Sequence, residues 1–164
     1  MIDLREYITA GNATFTIQSR KTGTRFTYRV RRAKAANERI CESANEETAS
    51  PIRKFAHSQV HFVSVLTGPQ NEHHYEFLGT IFNDGAYRHG RKSRYMATSP
   101  CSVAFAYFID NLSRLASTQL DFYPSAHCCA CGRLLTTPES VALGIGPECG
   151  NRIGGQHESK SQEE

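Results

Sequence analysis

The sequence lacks both a long hydrophobic run and a leader-like start. No stretch approaches the roughly 20 consecutive apolar residues that a membrane-spanning helix needs. Residues 1–6, MIDLRE, lack the basic region and the apolar region that together form a secretory signal peptide. We therefore expect neither a membrane protein nor a secreted one, and we predict a cytoplasmic location.

A large charge excess and an evident catalytic constellation are also missing. Lys and Arg number 19, Asp and Glu number 16, and the formal net charge is +3. Linear order shows no Ser-His-Asp or Cys-His arrangement and no cluster of carboxylates. We predict that the protein is not an enzyme. A metal-dependent nuclease is the enzymatic alternative, and it would need carboxylates that converge on a metal ion.

The sequence contains a clear β-hairpin signal. Residues 14–18 and 25–31 both alternate between apolar and polar side chains, and Gly23 lies in the turn between them. In the second segment the alternation places the aromatic and aliphatic side chains on one face and the arginines on the other. The arginines of that face are Arg25, Arg29 and Arg31.

Further strands and one helix complete an α+β domain, which we predict over residues 10–118. The apolar run at 60–66 is typical of a central strand, 75–82 of its hairpin partner, and 86–88 of a short edge strand. A helix should begin at Ser99 with Pro100 in its first turn, and it should cover one face of a small antiparallel sheet. We expect a short helix at 33–39 and a mobile insertion near 40–52.

The cysteines indicate a metal site. Four of the six lie in the last 40 residues, whereas a disulfide framework would be spread through a shorter chain. Cys128 and Cys131 form a C-x-x-C followed by Gly132, which is the arrangement of a zinc knuckle. Cys149 would supply a third thiolate. Free thiols, a disulfide and a redox C-x-x-C are the alternatives to a Zn²⁺ ion.

The segment around these cysteines has too few large apolar residues to fold by burial alone. We therefore predict a zinc-ribbon or treble-clef-like module over 122–155, with a disordered tail at 156–164. Within the module, Thr137 should cap a short helix that starts at Pro138, and Gly144 should end it.

Spacing leaves the fourth ligand open. We favour His127, although it adjoins Cys128 and adjacent residues rarely face the same metal ion. The alternatives are Cys129, His157 and an upstream histidine brought in by the fold, such as His57 or His61.

The C-terminal motifs resemble a known type of domain. Residues 128–141, CCACGRLLTTPESV, and 144–149, GIGPEC, look like an uncharacterised family of small zinc-ribbon-like domains that occur in phage, plasmid and bacterial proteins. Residues 22–28, 62–69 and 78–82 look like the domain that often precedes it. The resemblance implies metal binding and an origin in a mobile element, and it implies no activity.

Positive charge is concentrated in two places. Residues 20–39 hold eight basic side chains opposed only by Glu38, and a second cluster follows residue 87, flanked by Tyr87 and Tyr95, which could stack on bases. We predict DNA or RNA binding, since such a ribbon suits a phosphate backbone. The predicted contacts are Arg25, Arg29, Arg31, Arg91, Lys92 and Arg94.

Two other interpretations of these features stay open. The arginines could form an ordinary solvated sheet face. The protein could instead bind a host or phage protein, for example as an inhibitor of a defence system, with Phe122 and Tyr123 in the contact surface.

Overall fold

A six-stranded antiparallel sheet organises the protein. The computed structural model describes residues 3–33, 60–69 and 73–154. The strand order is β5-β4-β3-β2-β1-β6. The strands are β1 (Asn12–Ser19), β2 (Arg25–Arg32), β3 (His61–Leu66), β4 (Tyr75–Ile81), β5 (Tyr87–His89) and β6 (Leu120–Pro124).

Two α-helices and a 3-10 helix cover one face of the sheet. They are α1 (Leu4–Thr9), α2 (Pro100–Asp110) and a 3-10 segment at Leu112–Ser117. The ring of Phe105 in α2 lies 4.9 Å from that of Tyr28, and the ring of Phe108 lies 5.4 Å from that of Phe15. The predicted α+β class, with a small antiparallel sheet and a covering helix, is confirmed.

The start of α2 follows the predicted pattern with one difference. Ser99 is extended, Pro100 occupies the first turn, and the Ser99 carbonyl accepts a hydrogen bond from the Val103 N–H at 3.0 Å. The Ser99 hydroxyl makes no capping bond. Proline, which needs no N–H partner at this position, therefore fixes where the helix begins.

The folded unit extends past both predicted domain limits, with a helix before residue 10 and a strand after residue 118. Helix α1 precedes residue 10, yet Tyr7 and Ile8 are almost completely buried in the core. Strand β6 pairs with β1 beyond residue 118, so that Phe122 lies opposite Ile17. A six-residue helix and a five-residue edge strand carry weak sequence periodicity, and only their partners reveal them. The predicted insertion near 40–52 and tail at 156–164 lie outside the described residues, as does the short helix predicted at 33–39 apart from residue 33.

The second face of the sheet carries no described helix. Because side chains alternate along a strand, β1 and β2 bury Phe15 and Tyr28 and direct their polar residues the other way. We call this surface the open face. Its side chains on the first three strands are Asn12, Thr14, Thr16, Gln18, Arg25, Thr27, Arg29, Arg31, Phe62, Ser64 and Leu66.

Three strands and two helices meet at Phe15, and this contact generates a stability prediction. Phe15 is fully buried and its ring contacts those of Tyr7, Tyr28, Phe108 and Phe122. Phe15→Ala should lower the free energy of unfolding by about 3–5 kcal/mol, because it removes buried surface and leaves a cavity.

Urea denaturation followed by circular dichroism measures this loss. Ala at the half-exposed Phe62 is the matched control, and it should cost less than about 1.5 kcal/mol. Equal losses at the two positions would contradict the described orientation of β1.

Candidate metal centre and basic sheet face

Three cysteines from two separate segments converge at one end of the sheet. The sulfur atoms of Cys128, Cys131 and Cys149 all lie within 4.8 Å of one another. Sulfurs that share one ion at about 2.3 Å are separated by no more than about 4.6 Å. The three thiols are therefore close to the spacing of metal ligands, as their sequence pattern predicts.

A tight turn brings the first two thiols together. The Gly132 N–H donates to the Cys128 carbonyl at 2.9 Å, and Gly132 has a left-handed φ of 78°. A glycine adopts this conformation without the strain that a Cβ would cause. Cys149 lies in the first turn of α4 (Pro147–Gly154), which faces the turn.

The surroundings of Cys128 and Cys149 shift the pKa values of their thiols in opposite directions. Burial raises the pKa of Cys128, but hydrogen bonds from the backbone N–H groups of Cys131, Gly146 and Ala130 outweigh it and bring the pKa down to about 7. Burial and the two neighbouring thiols raise the pKa of Cys149 to about 11. A divalent ion between the sulfurs would stabilise all three thiolates at once, so this donor set fits a metal.

The short helix α3 (Pro138–Leu143) supports the cluster. The Ser140 N–H donates to the Thr137 hydroxyl at 3.4 Å, and Gly144 ends the helix with a φ of 68°. The predicted cap, start and end of this helix are thus confirmed. A Cβ at Gly144 would collide with the ring of Tyr7, so α1 packs directly against the end of α3.

The cysteine segment shares its core with the sheet. The Asn12 N–H donates to the Cys129 carbonyl at 2.6 Å, and the Asn12 side-chain amide donates to the Ala130 carbonyl at 2.8 Å. Leu135 and Ile145 are buried in the same apolar cluster as Tyr7. Hydrophobic burial against α1 and β1 therefore contributes to a segment whose own apolar content is low.

The structure does not bring the favoured fourth ligand into the cluster. His127 is exposed and pairs with Leu134 through an isolated β-bridge, outside the group that the three thiols form. Cys129 points into the core, where burial raises its pKa to about 12 and keeps the thiol neutral. His61 is buried with its Nε2 atom 3.0 Å from the Thr9 carbonyl. His57 and His157 lie outside the described residues.

The three predicted phosphate contacts of the first basic cluster, Arg25, Arg29 and Arg31, share the open face. Arg31 is exposed opposite Phe62, and Arg25 is exposed opposite Gln18. The Arg29 guanidinium carbon is 3.7 Å from the ring centroid of Tyr75. Burial lowers the pKa of Arg29, and the positive charge of Arg31 lowers it further. The arginines thus concentrate positive charge on one surface.

The second basic cluster divides between two surfaces. Arg91 and Lys92 are exposed in the turn after β5. Arg94 forms an ion pair with Glu76 at 2.9 Å, and Glu76 lies opposite the buried Val65, on the helix-covered side of the sheet. The predicted phosphate contact at Arg94 is therefore already partnered and faces away from Arg29 and Arg31.

The aromatic positions differ from the sequence interpretation. The Tyr87 ring packs 4.8 Å from that of Phe105 in the core, so it is not placed to stack on bases. Phe122 is also directed inward, with its ring 5.2 Å from that of Phe15. Phe62 and Tyr123, by contrast, are 46% and 50% exposed on the open face. Val63 and Val65 alternate with polar-facing positions along β3, and this alternation could have predicted that Phe62 faces away from the core.

Comparison with known proteins identifies one family in the C-terminal segment. A family of unknown function, DUF6011, matches residues 118–154, which include β6, both short helices and all three clustered cysteines. Neither a curated protein nor a solved structure matches the chain. The match supports the assignment of this segment to an uncharacterised family and supplies no activity.

Among the helices in residues 3–33, 60–69 and 73–154, none is both long enough and apolar enough to cross a bilayer.

The cluster geometry predicts which cysteine substitutions remove the metal. Cys131→Ala should lose most of the bound ion, because it deletes one of three converging thiolates. Cys129→Ala is the matched control two residues away, and it should retain the ion since its thiol points into the core. His127→Ala should also retain it.

Elemental analysis of protein recovered from gel filtration measures the ratio of metal to chain. Circular dichroism shows whether each variant is folded. Full metal content in Cys131→Ala, or a folded Cys129→Ala without metal, would contradict the assignment of the ligands.

Proposed function

We propose that the protein is a non-enzymatic, zinc-binding module that binds nucleic acid through the open face. The observation that carries the proposal is the common placement of Arg25, Arg29 and Arg31 on a sheet face that no described helix covers. Asp121, the acidic residue of the adjacent edge strand β6, forms an ion pair with Arg20 at 2.7 Å.

Arginine is suited to this task because its planar guanidinium binds phosphate oxygens through two parallel hydrogen bonds. Arg29 and Arg31 are two residues apart on β2, so their side chains point the same way about 7 Å apart along the strand. Mutual repulsion between them is relieved by an anionic partner. Each phosphate contact would also release condensed counterions.

Zinc is the proposed metal, and its role is structural. Thiolate-rich sites favour Zn²⁺ over Mg²⁺, Ca²⁺ and Mn²⁺, which prefer oxygen ligands. The ion would hold the Cys128–Cys131 turn against Asn12, and Asn12 is the strand neighbour of Arg31. In the part of the chain that the structure describes, no second group of three ligating side chains accompanies the cysteines.

A protein-binding factor is the second candidate, and exposed apolar side chains near the cysteines favour it. Leu134 is 63% exposed and Leu143 is 48% exposed, and Tyr123 is close by in sequence on β6. Salt distinguishes the candidates, because phosphate binding weakens steeply with ionic strength and an apolar interface does not. The phage or plasmid origin and the cytoplasmic location stay predictions.

The open-face proposal predicts the effect of removing one charge. Arg31→Gln should weaken oligonucleotide binding and reduce the slope of log Kobs against log salt by about 1, because one phosphate contact is lost. Arg114→Gln is the charge-matched control on the helix-covered side, where Arg114 donates to Asn111, and its slope should be unchanged.

Fluorescence anisotropy between about 50 and 200 mM salt measures both slopes. Equal slopes for wild type and Arg31→Gln would remove Arg31 from the interface. Absence of oligonucleotide binding by the wild type at the lower salt would overturn the function itself.

Removing the metal should reduce both stability and nucleic-acid affinity. A chelator should lower the melting temperature of the wild type, since the free energy of metal binding contributes to folding. Cys131→Ala, which already lacks a ligand, should show a much smaller shift. A wild-type melting curve unaffected by chelation, in protein shown to have lost its metal, would contradict the structural role.

A further inference from the structure

Phe62 is a large apolar side chain exposed near the start of the inner strand β3. Its neighbours Val63 and Val65 are buried beneath the sheet, whereas the Phe62 ring is 46% exposed on the open face. A polar residue at position 62 would be equally compatible with strand β3 on this exposed side. The exposed part of this ring is therefore available to a partner on the open face.

The orientation of the Phe62 ring is fixed by its neighbours. It meets the Phe77 ring edge to face, at 6.1 Å between centroids and an interplanar angle of 72°. Phe77 in turn packs over Gly90, where a Cβ would collide with its ring. Phe62 is thus presented as a supported flat surface, with little side-chain entropy left to lose when a ligand stacks on it.

Arginines stand on both sides of this ring. Arg31 lies directly opposite Phe62 on β2, and Arg88 lies beyond Thr80 on β5. Neighbouring strands are about 4.8 Å apart, so the backbones of the two arginines lie about 5 and 10 Å from that of Phe62. The Arg88 guanidinium lies 4.8 Å from the centroid of the Phe82 ring and pairs with Asp84 at 3.5 Å. Both side chains of this pair are more than half exposed, so water weakens it and a phosphate can compete with the carboxylate. The pattern is an aromatic surface between two cations.

The shape of the surface argues against a duplex as the partner. The strands β1 to β4 span about 14 Å between their outer members before side chains are added. The DNA major groove is about 12 Å wide and admits a helix or a two-stranded ribbon. The base faces of a duplex are also stacked on each other and closed to Phe62, whereas those of a single strand are available.

We propose that the open face binds single-stranded nucleic acid, with a base stacked on Phe62 and the flanking phosphates held by Arg31 and Arg88. This inference rests on the proposed nucleic-acid-binding function and specifies its substrate class. Stacking is tolerant of sequence because every base has an aromatic face. Binding should therefore discriminate strandedness more strongly than base identity.

The test compares three proteins on four probes. The proteins are the metal-loaded wild type, Phe62→Ala, and Phe62→Tyr, which keeps the ring. The fluorescent probes are an oligothymidine of about 12 nucleotides, the matching oligouridine, a duplex of the same length, and an abasic strand with the same phosphates. Thermal melting of each variant shows that the fold is retained.

We expect the wild type to prefer the two single strands over the duplex. Phe62→Ala should weaken single-strand binding about 5- to 150-fold, the range of stacking losses on alanine substitution, and Phe62→Tyr should restore it. The abasic strand should bind wild type and Phe62→Ala equally, because it offers no base to stack.

The two proposals fail differently in this experiment. If the wild type binds the duplex as tightly as the single strands, or if Phe62→Ala binds like the wild type, stacking on Phe62 is overturned while nucleic-acid binding stands. If the wild type binds none of the four probes at low salt, the proposed function fails and the inference fails with it.

Discussion

One-sided burial of the sheet is the constraint on which the rest of the structure depends. Strand β1 alternates so that Phe15 and Ile17 enter the core while Asn12 and Thr14 face the other way. Strand β1 pairs with both β2 and β6, and the two neighbours share this division between a buried and an exposed face. The helices then cover the side that carries most of the aliphatic and aromatic residues, because burial of that surface is favourable. The open face, with its arginines and Phe62, follows from the same alternation.

Asn12 connects the candidate metal centre to strand β1 of this sheet. Its backbone and side chain both donate to the cysteine turn, at 2.6 and 2.8 Å, and in the strand register Asn12 lies opposite Arg31. A metal ion that orders the turn would therefore also order one end of the open face. This arrangement explains physically why a thiolate-rich turn and a basic hairpin belong to one structure, and it links the two halves of the proposed function.

Sequence alone predicted the features that depend on local chemistry. The hairpin, the proline at the start of α2, the capped helix after Thr137 and the three converging cysteines all follow from short-range patterns. Helix α1, strand β6 and the inward placement of Tyr87 depend on residues far away in sequence, so no local pattern revealed them. The domain boundary fell inside the sheet for the same reason: composition changes near residue 120, but strand pairing continues. His127, the favoured fourth ligand, adjoins Cys128 in sequence but lies outside the group that the three thiols form. Spacing along the chain therefore did not identify a fourth ligand.

The most direct test of the account is an NMR titration of the ¹⁵N-labelled, metal-loaded protein with a single-stranded oligonucleotide at low salt. The account predicts that amide shifts concentrate on the open face, at Arg29, Arg31, Phe62 and their strand neighbours, and leave the helix-covered side unchanged. Shifts confined to the surface around Leu134 and Leu143, or no shifts at saturating oligonucleotide, would contradict it.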